Sequence, residues 1–257
     1  MIFDKLTLKI QVARLRQRLL GHRVEIRRSW EETPGKLRDM VEFLNWFDQT
    51  GSIAETVKRG ETDWQYRFVA GSHFAAIPKT RALEIGFGAG RLLMHASRSF
   101  ESVVGVDIHE NFALSQAFLA SQGVTNVQLL HRDQIDQVGS GSVDFVYSFI
   151  VFQHFDCMQE VEFYLNHIAR ILSPAGIAQI YYGKKGGDGT QVTTPDDFRL
   201  RDCSLFISPG TMRQIVADRF EVLEYRDELA RDPVANTGQS VQAMVTFRNR
   251  PARRTDP

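Results

Sequence analysis

The pattern of apolar positions changes character near residue 81. Before it, apolar residues recur at helical spacing. Leu8, Val12, Leu15 and Leu19 share one face while Lys9, Arg16 and Arg18 occupy the rest, which predicts a basic amphipathic helix ending near Gly21. Leu37, Met40, Val41, Leu44 and Phe47 mark a second helix, opened by Thr33 and Pro34 as N-cap and first-turn pair and closed at Gly51. Ser52-Ile53-Ala54-Glu55 has capping-box spacing and predicts a short helix that stops at Gly60.

From Arg81 onward, short apolar runs alternate with helical stretches, the signature of a parallel sheet covered on both faces. The runs around Ala82 to Ile85, Val103 to Val106, Val127 to Leu130 and Val143 to Ser148 read as four strands. Glu110 to Gln122 reads as a helix ended at Gly123. Val161, Tyr164, Leu165, Ile168, Ile171 and Leu172 form the core face of a longer one ended by Pro174 and Gly176. Ile177 to Tyr182, Phe220 to Tyr225 and Val241 to Arg248 complete seven strands, with a helix capped by Ser208 and begun by Pro209 before the sixth. The glycine-rich stretch from Gly183 to about Cys203 reads as a mobile loop, a lid near the strand ends. The chain thus divides into a helical extension over 1–78, an α/β domain over 79–250 and a disordered tail over 251–257.

The first strand runs straight into chemistry. Glu84-Ile85-Gly86-Phe87-Gly88-Ala89-Gly90 turns through three glycines into a helix, a cradle in which missing Cβ atoms let a ligand approach the main chain. The spacing is G-x-G-x-G, with Arg91 where a dinucleotide fingerprint places its third glycine, which argues against NAD. Glu84 would repel a pyrophosphate and attract an ammonium group. Asp107 ends the second strand about 20 residues beyond Gly86, the interval that sets a carboxylate on a ribose.

With these motifs the chain resembles the class I S-adenosylmethionine-dependent methyltransferases over roughly Arg81 to Arg248. The E-x-G-x-G-x-G loop matches the first motif, Asp107 the second, Asp133 the third and Ser142 to Phe155 the fourth. The resemblance implies a Rossmann-like, seven-stranded, mostly parallel sheet with helices on both faces, and S-adenosyl-L-methionine as the cofactor. It further implies that Glu84 and the Gly86, Phe87, Gly88 and Gly90 loop face the methionine part, and that Asp107 holds the ribose hydroxyls. Ile108 then lies on the adenine face and Asp133 at the adenine amino group, with Gln134, Ser148 and Phe149 beside the cofactor.

Composition narrows the partners. The 257 residues are 43% hydrophobic, enough for a sizeable core, and 31 basic residues balance 31 acidic ones, so no global field draws the chain to nucleic acid. Cys157 and Cys203 make no disulfide framework, and the reading is a reducing, cytoplasmic setting. No run approaches the ~18 apolar residues of a spanning helix. The basic first helix is read as packed on its own domain or on a second subunit, in a monomer or homodimer, rather than on a membrane surface.

His154, after the fourth strand, is the candidate general base for a hydroxyl acceptor, and Phe149, Phe152 and Phe155 would wall it from water. Tyr66, His73, Phe152 and Tyr182 are candidate contacts to the substrate. The seven histidines show no metal-ligand spacing, so no metal is expected. The leading reading is methyl transfer to a small molecule, at the hydroxyl of a sugar or secondary metabolite. Its alternatives are an RNA or protein methyltransferase, supported by Arg248, Arg250, Arg253 and Arg254, and a non-catalytic binding protein on the same fold.

Overall fold

The computed structural model describes residues 27–71, 73–192, 205–226 and 242–251. The basic helix expected from Leu8 to Leu19, Cys203 and most of the tail fall outside these residues. The N-terminal region is helical: α1 covers residues 27–36, α2 Met40–Asp48 and α3 Ile53–Asp63, the last continued by a π-type turn over Trp64–Val69. Then come β1 (Arg81–Ile85), α4 (Arg91–Ala96), β2 (Ser102–Asp107), α5 (Phe112–Ser121), β3 (Val127–His131) and β4 (Val143–Ser148). The chain continues through α6 (Met158–Ile171), β5 (Leu172–Gly183), β6 (Thr190–Val192), β7 (Leu205–Ile207), α7 (Pro209–Ala217), β8 (Phe220–Arg226) and β9 (Gln242–Asn249).

Seven strands form one sheet in the order β3-β2-β1-β4-β5-β9-β8, in which β9 runs antiparallel to both its neighbours, β5 and β8, and the other pairings are parallel. The central strands are apolar on both faces because both are covered. Alternation along β1 sends Leu83 and Ile85 to the face packed by Val161, Leu165 and Ile168 of α6 and Met212 and Val216 of α7. Ala82 goes to the other face, with Phe145, Tyr147, the α4 leucines and Trp64 and Phe68 of the π-type turn. Glu84 shares the face of Ala82, so the strand's pleat aims its carboxylate toward the N-terminal helices. Chain order reverses between β1 and β4, and the crevice beyond their carboxyl ends is where such sheets bind ligands.

Four local expectations are corrected. Thr33 and Pro34 do not open a helix: they lie in the last turns of α1, where Pro34 loses one backbone bond just before the helix ends. The next helix starts at Asp39, whose side chain accepts from the Glu42 amide (3.0 Å), and ends at Gln49 in a left-handed conformation. Gly60 does not stop α3. A Cβ there would sit 2.7 Å from the Arg91 carbonyl oxygen and 3.0 Å from the His95 ring, so this glycine lets α3 pass close over α4. Finally, the glycine-rich segment after β5 is not wholly irregular, since Thr190–Val192 pairs antiparallel with Leu205–Ile207.

Candidate active site

The three glycines after β1 all take positive φ, 74° at Gly86, 52° at Gly88 and 98° at Gly90, which explains the G-x-G-x-G spacing in conformational terms. Gly88 is also short of space, for a Cβ there would meet the Phe47 ring at 2.8 Å. Both of its peptide groups are tied down. Its N–H donates to Asp107 Oδ2 (2.8 Å), and its carbonyl accepts from Ser115 Oγ (3.0 Å) and from His109 Nε2, which is also 3.0 Å away. His109 is buried among Phe43, Phe47, Phe87 and Phe112. It is a support beneath the loop.

Asp107 accepts from the Gly88 amide on Oδ2 and from the Ile108 (2.7 Å) and His109 (3.3 Å) amides on Oδ1. A carboxylate has about four acceptor positions, two on each oxygen, so Oδ2 keeps one for a ligand hydroxyl. Glu84 is 3% exposed and accepts from the Tyr147 hydroxyl (3.1 Å). Burial pushes its carboxyl well above the usual range; the Tyr147 bond and the Arg91 charge pull it back less, and Asp107 and Asp48 add to the rise. Burial and the Glu84 charge likewise push the Tyr147 hydroxyl up, so it stays protonated and donates.

These groups open onto a cavity of about 560 Å³. Glu84, Gly86, Phe87, Gly88, Asp107 and Ile108 form one side, and Phe149 to Val151 with Gln153 to Phe155 form a second. The third comes from the N-terminal helices: Arg27, Ser29 and Trp30 of α1, Trp46, Phe47 and Asp48 of α2 with Gln49 after it, and Arg59 of α3. The Trp30 ring lies 4.7 Å from the His154 ring and 5.8 Å from Trp46. Among the described histidines, His154 is the one that lines this cavity. Ile150 has φ 60°, an unusual conformation for a β-branched residue, on the wall beside Gly86.

Several expected contacts lie elsewhere. Asp133 has a 73% exposed side chain on a short 3-10 turn, where it lines a second hollow that shares Arg27 and Ile108 with the first, and Gln134 caps that turn by accepting from the His131 amide (3.0 Å). Ser148 is fully buried and donates to the Ile85 carbonyl (2.9 Å). Gly90 starts α4 behind the loop. Phe152 and Tyr182 belong to the core, the latter bonded to the Tyr225 hydroxyl. Tyr66 is exposed, and His73 sits 3.9 Å from Glu224.

The residues that sequence reasoning missed belong to a buried ion cluster. Arg91, 8% exposed, donates through Nε to Asp48 Oδ1 (2.5 Å) and through a terminal nitrogen to Asp63 Oδ2, while Arg67 Nε donates to Asp63 Oδ1 (2.9 Å). Arg67 also lies over the Phe149 ring, 4.2 Å from its centroid. Desolvation lowers the Arg91 guanidinium's affinity for its proton, but Asp48 and Asp63 outweigh that and hold it above its ordinary value. Among the described residues no group of three or more His, Cys, Asp or Glu is placed to hold a metal ion, and no helix is long and apolar enough to cross a membrane.

Residues 83–180 match the family model described as a methyltransferase domain. Among solved structures the chain is similar to an S-adenosylmethionine-dependent methyltransferase from Leishmania major, with TM-score 0.59 and 13% identity over 90% of this chain and 83% of that one. It is similar to the 1,6-didemethyltoxoflavin-N1-methyltransferase of Burkholderia thailandensis, solved with 1,6-didemethyltoxoflavin and S-adenosylhomocysteine (TM-score 0.56, 16% identity, 91% and 88% coverage). It is also similar to the cyclase SpnF (TM-score 0.56, 14% identity, 76% and 82% coverage). At these identities the likeness is one of fold. No curated protein matches the chain in sequence.

Proposed function

We propose that this chain, a class I S-adenosylmethionine-dependent methyltransferase whose residues 83–180 carry the methyltransferase domain, methylates a hydroxyl group of a small-molecule acceptor. The observation that carries the acceptor side is the Trp30 and His154 pair on the wall of a cavity whose opposite side holds Glu84, Gly86 and Asp107. A cavity of about 560 Å³ suits a small molecule, within the range of ~300–1,000 Å³ usual for such sites.

S-adenosylmethionine supplies an activated methyl group, so the protein's task is alignment and exclusion of water; alignment alone can be worth ~7 kcal/mol or more. Asp107 Oδ2 has a spare acceptor position for a ribose hydroxyl, and the positive φ of Gly86 and Gly88 shapes the turn on which the ligand would sit, their missing Cβ atoms making room for Val151 and Phe47. Trp30 and Trp46 offer flat apolar faces to the acceptor and keep that end dry. As the acceptor oxygen forms its new bond to carbon, its proton would pass to the His154 imidazole.

Of the basic C-terminal residues, Arg253 and Arg254 lie outside the described residues, and the other two are engaged within the domain. Arg248 is held by both oxygens of Glu221 (2.9 Å each), and Arg250 donates to main-chain carbonyls of Phe220 and Ala217. The test is a panel of hydroxylated small molecules assayed by S-adenosylhomocysteine release, with mass spectrometry locating the methyl group. Methylation found on nitrogen or carbon alone would replace the hydroxyl reading.

A further inference from the structure

The N-terminal helices bring a carboxylate to the glycine-loop end of the cavity, and one of its oxygens has nothing to bind. Asp48 lines the cavity and is 6% exposed. Its Oδ1 accepts from Arg91 Nε (2.5 Å), and Arg59 bonds its main-chain carbonyl, but Oδ2 is buried with no hydrogen-bond partner among the described residues. Glu84 lines the same cavity with the Tyr147 hydroxyl as its bond. Arg91, which answers Asp48 Oδ1, answers Asp63 as well, and Arg59, the other guanidinium on Asp48, bonds its main-chain carbonyl. A buried acceptor of this kind demands a donor, and where two carboxylates line one cavity the fitting donor is a cation with several N–H groups.

We propose that Asp48 binds the α-ammonium group of the cofactor's methionine part through Oδ2, with Glu84 as the second carboxylate, so that the N-terminal helices complete the cofactor site. This rests on the S-adenosylmethionine reading. Position favours the cofactor over the acceptor as occupant. Arg91 is the first residue of α4, directly after the glycine loop, and it fixes Asp48 there, whereas the acceptor wall of Trp30 and His154 belongs to α1 and the segment after β4.

The test is calorimetric binding of S-adenosylhomocysteine, which has the ammonium group, beside methylthioadenosine, which lacks the whole amino-acid end. Asp48→Asn should weaken S-adenosylhomocysteine by about tenfold or more, the usual scale for a charge-assisted bond, and leave methylthioadenosine within about twofold. Equal loss for both ligands would mean that Asp48 only shapes the site, and no loss for either would mean that a water satisfies Oδ2. Either result overturns the proposal. If neither ligand binds the parent protein, the cofactor reading itself fails, which separates the two. Should Asp48→Asn fail to fold, Glu84→Gln decides: it should keep part of the preference for S-adenosylhomocysteine over methylthioadenosine. Complete loss of that preference in Glu84→Gln would leave Asp48 no share and overturn the assignment.

Discussion

Gly60 faces the carbonyl oxygen of Arg91 so closely that the Cβ of any other residue would lie 2.7 Å from it. In an exposed helix, replacing glycine by alanine stabilises by about 1 kcal/mol. Here the sign should reverse. Gly60→Ala pushes α3 away from α4, with an overpacking cost of ~1–3 kcal/mol. At ~2–4 °C per kcal/mol for a chain of this size, the melting temperature should fall by several degrees. A thermal melt that rises would show that α3 and α4 pack less tightly than this contact requires.

Glu84 gives the empty site a pH dependence of defined sign. Its carboxyl is raised well above the ordinary 4.5, so the folded chain binds this proton more tightly than the unfolded one. The stability it contributes is complete below pH 4.5 and is lost as pH rises through the raised value. Tyr147 is also raised and stays neutral throughout. Glu84→Gln should therefore flatten the decline in melting temperature as pH rises above 4.5, because unfolding then releases no proton from this position. S-adenosylhomocysteine should reduce the same decline in the parent by supplying a cation to the carboxylate. An unchanged slope in Glu84→Gln would assign the decline to another group.

Asp107→Ala should weaken S-adenosylhomocysteine and methylthioadenosine alike, since both carry the ribose. Bonds to a charged acceptor contribute ~1.5–3 kcal/mol each, so at least about tenfold in affinity is expected. Part of the loss comes from the Gly88, Ile108 and His109 amides, which lose their acceptor. Calorimetry with the two ligands distinguishes this pattern from that of Asp48→Asn, and loss confined to S-adenosylhomocysteine would contradict the ribose role.

His154→Ala should lower turnover by about 10²-fold or more and barely change cofactor affinity, the pattern of a group acting in the transfer step. Trp30→Ala removes the ring that packs on His154 and should mainly raise the acceptor KM. Steady-state kinetics with a confirmed acceptor reads both. Unchanged turnover in His154→Ala across pH would leave the transfer to alignment alone.

Much of the sheet was legible because buried parallel strands write themselves as apolar runs, and because glycine at Gly86, Gly88 and Gly90 is dictated by backbone angles that no neighbour can alter. The N-terminal wall was not. Asp48 closes a helix, where an acid ordinarily needs no explanation, and only the arrival of Arg91 from 43 positions away gives it one. Gly60 looked like a stop because sequence does not distinguish a glycine that ends a helix from one that makes room for another. Asp133 and Gln134 matched a motif by position, yet the turn after β3 leaves one exposed and uses the other as a cap. Thr190–Val192 is held by pairing with Leu205–Ile207, a partner that no local pattern announces.

The position of Arg91 between Asp48 and Asp63 has a consequence for anyone cutting or recombining this chain. The segment 83–180 that carries the methyltransferase signature ends one side of a charge cluster whose other side lies before residue 64. Expressed without the N-terminal helices, it would expose a core-facing guanidinium and the apolar ground around Phe145 and Tyr147 that Trp64 and Phe68 cover. Grafting other helices onto it to change acceptor choice would succeed only with donors that bring carboxylates to both positions, so the recombination breakpoint belongs upstream of α2 and not at the start of β1.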